Sequence, residues 1–174
     1  MRKTVFVATA LVLLAGPARA QSAGEKSGVN SALGVTPKTA DFVTEVAQSD
    51  MFEIQSSQLA DAKTSGATLS FAKQMVTDHT KTTNELKELA PSANAALPTT
   101  MSRSQQEMID KLKGLNDDDF RKQYVSDQVS AHKTAVALFE RYSKGGDNEK
   151  LKAWASQTLP ALQHHLDMAN SLDK

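Results

Sequence analysis

The sequence contains no cysteine, and this absence excludes several kinds of chemistry. No disulfide can form, so the fold must depend on the packing of its core. Thiol catalysis and metal sites with cysteine ligands are excluded as well. Only five prolines and eight glycines occur among the 174 residues. Because these two residue types interrupt helices, their scarcity favours long helices.

Long hydrophobic runs are also missing, apart from one at the start that is typical of a secretory signal peptide. Arg2 and Lys3 supply positive charge, residues 5–15 are almost wholly apolar, and Ala18-Arg19-Ala20 fits the cleavage rule. The run is shorter than the roughly 20 apolar residues that span a bilayer. We predict cleavage after Ala20 and a periplasmic or secreted mature protein with no transmembrane segment. The alternative is an N-terminal anchor that is never cleaved.

A strong charge of either sign is absent too. The chain has 20 basic and 20 acidic residues, and removing Arg2, Lys3 and Arg19 leaves 17 basic against 20 acidic ones, a net charge of −3. Nucleic-acid binding usually requires a basic patch. We therefore expect no nucleic-acid partner. A protein partner is compatible with this composition, which does not identify one.

The mature chain has the size and patterning of one all-α domain. Residues 21–36, rich in Ser, Gly, Ala and Asn, form a predicted disordered lead, and residues 37–174 form the domain. Four segments carry apolar residues at helical spacing, with turns at Ser65-Gly66 and Gly145-Gly146. Short turns force neighbouring helices to run antiparallel. The prediction is an antiparallel four-helix bundle.

The segment between the second and third helices is long enough to be a crossover, and it predicts a short extra helix. Ser102 with Gln105, or Ser104 with Glu107, fits a capping box. Elsewhere, Thr36-Pro37 predicts the start of the first helix, and Asp147 or Asn148 predicts the cap of the fourth. Pro160 within the fourth helix predicts a kink.

Each predicted helix carries one titratable residue inside its apolar arc: Glu53, His79, His132 and His165. Buried groups of this kind require a partner or a metal ion, and helical bundles build metal sites from inward side chains. Glu53, His79 and His132 lie 12 to 14 residues from their turns, whereas His165 lies 19 residues from its turn. At about 1.5 Å per residue, we expect the first three to meet and His165 to be offset by about 9 Å.

The same four residues allow two interpretations. One is a mononuclear metal site that takes a divalent zinc, copper, iron or manganese ion. The other is a buried hydrogen-bond network without metal. Met75 and Met168 lie about one turn from two of the histidines, which would suit copper, although methionine at helical spacing is usually a core residue.

These motifs carry a resemblance to a known family. Phe71 to His79, Tyr124 to His132 and Leu159-Pro160-Ala161-Leu162-Gln163-His164-His165, together with Met51-Phe52-Glu53, resemble the secreted bacterial ferritin-like family catalogued as domain of unknown function 4142. The resemblance covers roughly residues 37–172. It implies a ferritin-like bundle in a periplasmic or outer-envelope setting and no established activity.

The chain departs from di-iron ferritins in its ligands. Those proteins use a Glu-x-x-His motif on two helices, but the residues three before the histidines are Val76, Val129 and Leu162. Ferroxidase chemistry is therefore disfavoured, and a non-enzymatic role is favoured. Asp78 is a candidate to support a metal ligand. The sequence leaves three functions open: a metal-binding bundle, a metal-free structural or interaction bundle of the cell envelope or stress response, and an oxidase or hydrolase with Glu53 as base.

Overall fold

The structure, a computed structural model, describes residues 29–173. The described part is all-helical and contains no strand. A single helical turn, Val29–Ala32, precedes five helices, and a 3-10 turn, Ala90–Ala93, follows the second of them. The helices are α1 (Thr39–Lys63), α2 (Gly66–Leu89), α3 (Arg103–Lys113), α4 (Asp117–Gly145) and α5 (Glu149–Leu172). The predicted signal peptide and most of the predicted lead lie outside the described residues. Within residues 29–173, no helix combines the length and apolar character needed to cross a membrane.

Most helix ends follow local sequence signals. Ser102 and Gln105 form the predicted capping box at α3, and the Asn148 side chain accepts a hydrogen bond from the Leu151 N–H at α5. The predicted start of the first helix was wrong. Helix α1 begins at Thr39, and its N-cap residue, Lys38, makes no side-chain capping bond. Thr36 lies three residues before the first helical residue, and its hydroxyl donates to the Arg141 carbonyl oxygen at 3.5 Å.

Each long helix lies antiparallel to two others. Contacts at successive positions of one helix run backwards along its neighbour, which establishes the direction of each pair. The contacting pairs are Asp61–Lys73 and Asp50–His79 for α1 and α2, Phe139–Trp154 and His132–His165 for α4 and α5, Phe42–Tyr142 and Ser57–Tyr124 for α1 and α4, and Glu85–Trp154 and Asp78–His165 for α2 and α5.

These pairings make α2 and α4 run in the same direction. After α2 ends, the chain must therefore travel back along the length of the long helices before α4 begins. Residues 90–116, which we call the crossover, make this return and contain α3. Helix α3 packs against α1 and α4. The crossover therefore covers one side of the α1–α4 pair.

The core is divided into two apolar clusters with a polar layer between them. One cluster includes Phe42, Tyr142 and Trp154, and the other includes Phe71 and Tyr124. On each long helix the inward polar positions fall between residues of the two clusters. These positions are Asp50, Glu53, Ser56 and Ser57 on α1, His79 on α2, His132 on α4 and His165 on α5.

Helix α5 continues through Pro160, and His165 lies at the level of the other histidines rather than about 9 Å away. The expected offset was wrong because residues 146–148 form the turn and are not helical. Counted from the true ends, His132 lies 13 residues before Gly145, and His165 lies 16 residues after Glu149. The remaining difference of about 4.5 Å is small enough for the side chains to bridge.

Candidate metal centre

Three histidines from three helices converge inside the polar layer. His79, His132 and His165 each offer a ligand atom, and these atoms lie within 4.8 Å of one another. Their ring centroids are 5.4 to 5.7 Å apart. The residues are only 3%, 1% and 4% exposed, so solvent contributes little to satisfying their ring nitrogens.

One nitrogen of each ring is held by a hydrogen bond, and the other has no partner. His79 Nδ1 lies 2.8 Å from Asp50 Oδ1, His165 Nε2 lies 2.8 Å from Asp78 Oδ2, and His132 Nδ1 lies 2.9 Å from the Gln128 carbonyl oxygen. A neutral imidazole donates from such a nitrogen, which leaves the lone pair on the opposite nitrogen. The unpartnered nitrogens are His79 Nε2, His132 Nε2 and His165 Nδ1.

The two carboxylates that hold the rings are themselves fixed by neighbours. Asp50 Oδ2 accepts hydrogen bonds from the hydroxyls of Thr82 at 2.9 Å and Thr83 at 3.1 Å. Asp78 Oδ2 accepts one from Gln74 Nε2 at 2.7 Å. Ring orientation is therefore set by two layers of hydrogen bonds, as is usual around histidine ligands to a metal.

Glu53 lies beside the three histidines and is not part of the converging group. Its Oε1 is 3.9 Å from His132 Nδ1, the nitrogen already bonded to the Gln128 carbonyl, and its buried Oε2 has no hydrogen-bond partner. Burial raises the pKa of Glu53 from 4.5 to about 7, although the charge of His79 and a hydrogen bond from Gln128 oppose this. Near neutral pH the carboxyl thus exchanges between its protonated and ionised forms.

The three imidazoles differ in how readily they take up a proton. Burial lowers the pKa of both His132 and His165 to about 4. Burial also lowers the pKa of His79, but the hydrogen bond and charge of Asp50, with the charges of Glu53 and Asp78, outweigh it and raise the pKa above 6.5. Two rings therefore stay neutral, the form that binds metal, well below neutral pH.

The structure brings together three of the four predicted ligands and adds partners that the sequence did not reveal. Asp78 does hold a histidine, but that histidine is His165 on α5 rather than its neighbour in the sequence. Asp50 was missed. Its spacing of three residues from Glu53 puts it within about 60° on the same helix face, and this spacing was the available signal.

The chemistry of the donor set suits a late first-row transition metal. Three neutral imidazoles and one open position form a common zinc arrangement, and copper, nickel and iron accept imidazole as well. Zinc–nitrogen bonds of about 2.0–2.1 Å place tetrahedral ligand nitrogens about 3.4 Å apart. The separations here have an upper limit of 4.8 Å. Small ring movements would close the difference.

Comparison with known proteins assigns the chain to a family without bringing an activity. No curated protein and no solved structure matches it significantly. A family model described as Domain of unknown function (DUF4142) matches residues 24–172. This match spans most of the chain, including every helix within residues 29–173 and all three histidines. The chain therefore belongs to the DUF4142 family.

Proposed function

We propose that this protein is an exported, ferritin-like four-helix bundle that binds one divalent transition-metal ion through His79, His132 and His165. The observation that carries the proposal is the set of three unpartnered, buried ring nitrogens. Export to the periplasm is supported by the signal-like segment at residues 1–20. The ferritin-like topology is supported by the crossover and by the directions of the long helices.

The energetic argument favours a bound ion over a simple core network. A buried polar atom without a partner costs about 1–3 kcal/mol. Each of the three converging rings carries one such nitrogen, and Glu53 beside them carries an unpartnered oxygen. In the neutral rings these three nitrogens are all acceptors, because the opposite nitrogen of each ring is the donor, so they cannot hydrogen-bond to one another. A metal ion satisfies all three nitrogens at once.

The proposal assigns the metal to the late end of the first row, zinc or copper before iron or manganese. Affinity for nitrogen ligands rises toward copper, and no carboxylate belongs to the converging group. A bridged di-iron centre is not supported, because it needs several carboxylate ligands. Glu53 is proposed as a neighbour of the site that can hold or release a proton.

Metal analysis of the protein produced in a bacterial periplasm, without a histidine tag or chelator, tests the proposal. We expect about one metal ion per chain, and we expect His165→Ala to abolish its retention. His164→Ala is the matched control, because His164 is the exposed neighbour of His165 and should leave the metal content unchanged.

A second result would favour the metal-free alternative instead. In that case the wild-type protein would contain substoichiometric metal that does not respond to His165→Ala, and added zinc would leave its thermal unfolding temperature unchanged. The variant would then be less stable for loss of packing alone. The two interpretations are separated because only the first links stability to added metal.

A further inference from the structure

A half-open cleft of about 1150 Å³ lies between α1, α4 and the crossover. It is larger than most small-ligand pockets, which measure about 300–1,000 Å³. Its inner wall is apolar and includes Phe139 and Leu162, while its rim carries hydroxyl and amide groups such as those of Gln48, Ser104 and Thr134. The cleft thus combines an apolar inner wall with a polar rim.

The inner end of the cleft reaches the polar layer. His79 and Asp50 both contribute to its lining, together with Thr82, which donates to Asp50. Of the three histidines, His79 lines the cleft, and His132 and His165 do not. Its Nε2 has no hydrogen-bond partner although the residue is almost wholly buried. The cleft therefore connects solvent with the edge of the histidine group.

The charges of the cleft favour a cation. Its lining includes the Glu107 carboxylate at the exposed rim and the Asp50 carboxylate, which holds His79, at the inner end, against the guanidinium of Arg103. Clefts lined by one sign of charge concentrate ions of the opposite sign and raise their rate of association. Hydroxyl and amide oxygens along the rim can replace water around a divalent ion as it moves inward.

Given the proposed metal site, we infer that this cleft is the route by which a divalent metal ion reaches the three histidines. The ion is drawn in by Glu107 at the rim, passes under the crossover and meets the Asp50–His79 pair at the inner end. Coordination by His132 and His165 then completes binding. The opposite side of the site offers a competing approach, because the Asp78 side chain, which holds His165, is about 31% exposed between α2 and α5.

Single-cysteine labelling separates the two approaches, since the chain has no cysteine of its own. Thr134→Cys places a thiol on the cleft wall, and Lys81→Cys places one a helical turn from Asp78, on the side of α2 that faces α5. Both positions are exposed and lie within helices, so the variants are comparable. Each is capped either with iodoacetamide or with a bulky polyethylene glycol maleimide. Stopped-flow absorption then follows Co²⁺ uptake by the metal-free protein.

We expect the bulky label at position 134 to slow Co²⁺ uptake about tenfold or more relative to the small cap, with the same final absorption, because an obstructed channel gates the rate. The same label at position 81 should change the rate less than twofold. Equal rates at both positions, or slowing at position 81, would overturn the route and leave the metal site intact. Absence of the Co²⁺ spectrum from every capped variant and from the wild type would instead remove the proposed site itself.

Charge reversal gives an independent measurement that needs no label. Glu107→Lys should slow Co²⁺ uptake about tenfold at low ionic strength, and the effect should shrink as salt screens the rim charge. Glu88→Lys is the control, because Glu88 is exposed on α2 and does not line the cleft. Equal rates for the two variants would contradict attraction through the cleft.

Discussion

At the scale of single residues, the three site histidines are distinguished by what holds their rings. His79 and His165 are held by carboxylates, and His132 is held by a backbone carbonyl. A carboxylate partner makes an imidazole a stronger metal ligand, whereas a carbonyl mainly sets its orientation. The aspartates are therefore the residues through which a substitution would alter metal affinity without removing a ligand.

Asp50→Asn tests this role directly. Asparagine keeps an oxygen that can accept from His79 Nδ1, but it removes the charge that strengthens the ligand. Loss of such a supporting group lowers metal affinity by about 10–100-fold. We expect that decrease in a zinc competition titration, with the helical circular dichroism spectrum unchanged.

Asp61→Asn is the control for this experiment. Asp61 is also a carboxylate of α1, but it is exposed and pairs with Lys73 at 3.7 Å, away from the histidines. Its zinc affinity should equal that of the wild type. If Asp50→Asn also binds zinc as tightly as the wild type, the ring of His79 does not depend on the carboxylate charge.

Sequence reasoning at this scale found the histidines because each interrupts an apolar stripe. It could not separate Glu53 from Asp50, because both are acidic residues on one face of α1. Which of the two carboxylates reaches His79 depends on the rotation of α1 against α2, and this rotation is set by packing across the whole interface. The partner of His132 is a backbone carbonyl oxygen, so the pattern of side chains in the sequence could not reveal it.

At the scale of helices, capping residues predict where a helix begins more reliably than counting residues from a turn predicts the level of a side chain. The capping box at Ser102 and the cap at Asn148 were predictable because each capping bond is made within four residues. The start of α1 was not, because Thr36 is engaged by Arg141 in α4, a contact distant in sequence. The level of His165 depended on where the turn before α5 ends, and a three-residue difference changed the conclusion.

The capping box at α3 gives a prediction about the crossover. Ser102→Ala removes the side chain that accepts from the Gln105 N–H and should destabilise α3 by about 1 kcal/mol. Because α3 lies on the surface of the long helices, we expect faster amide hydrogen exchange confined to residues 103–113. Exchange in α2 and α5 should not change.

Ser104→Ala is the matched control, since Ser104 is exposed and its hydroxyl contacts only the Ser102 hydroxyl among the hydrogen bonds described. It should leave exchange in α3 close to that of the wild type. Equal acceleration by both substitutions would mean that the capping box does not determine the stability of the crossover.

At the scale of the whole molecule, the polar layer between the two apolar clusters lowers the stability of the fold and contains the candidate metal site. Phe42, Tyr142 and Trp154 at one end and Phe71 and Tyr124 at the other supply close aromatic contacts. Between them, groups that prefer water are held in a dry environment, at a free-energy cost that depends on their protonation. The stability of the metal-free protein should therefore vary with pH, and Glu53 makes this measurable.

Glu53→Gln isolates one contribution to that dependence. The pKa of Glu53 is about 7 in the folded protein, against about 4.5 for an ordinary glutamate. Between these values the folded state keeps a proton that the unfolded state has released, so the stabilising contribution present below pH 4.5 is lost as pH rises through 7. Glutamine has no such loss. The free energy of unfolding of the variant, relative to the wild type, should rise by roughly 3 kcal/mol between pH 4.5 and pH 7.5.

Urea unfolding of the chelator-treated proteins at several pH values provides the measurement. Glu107→Gln serves as the control, because Glu107 is an exposed glutamate outside the polar layer. Taking the difference between variant and wild type removes the contributions that the histidines make to both proteins, apart from their direct coupling to Glu53. A difference between Glu53→Gln and the wild type that does not change with pH would mean that the carboxyl is hydrated when folded, and the polar layer would then be open to water without any metal.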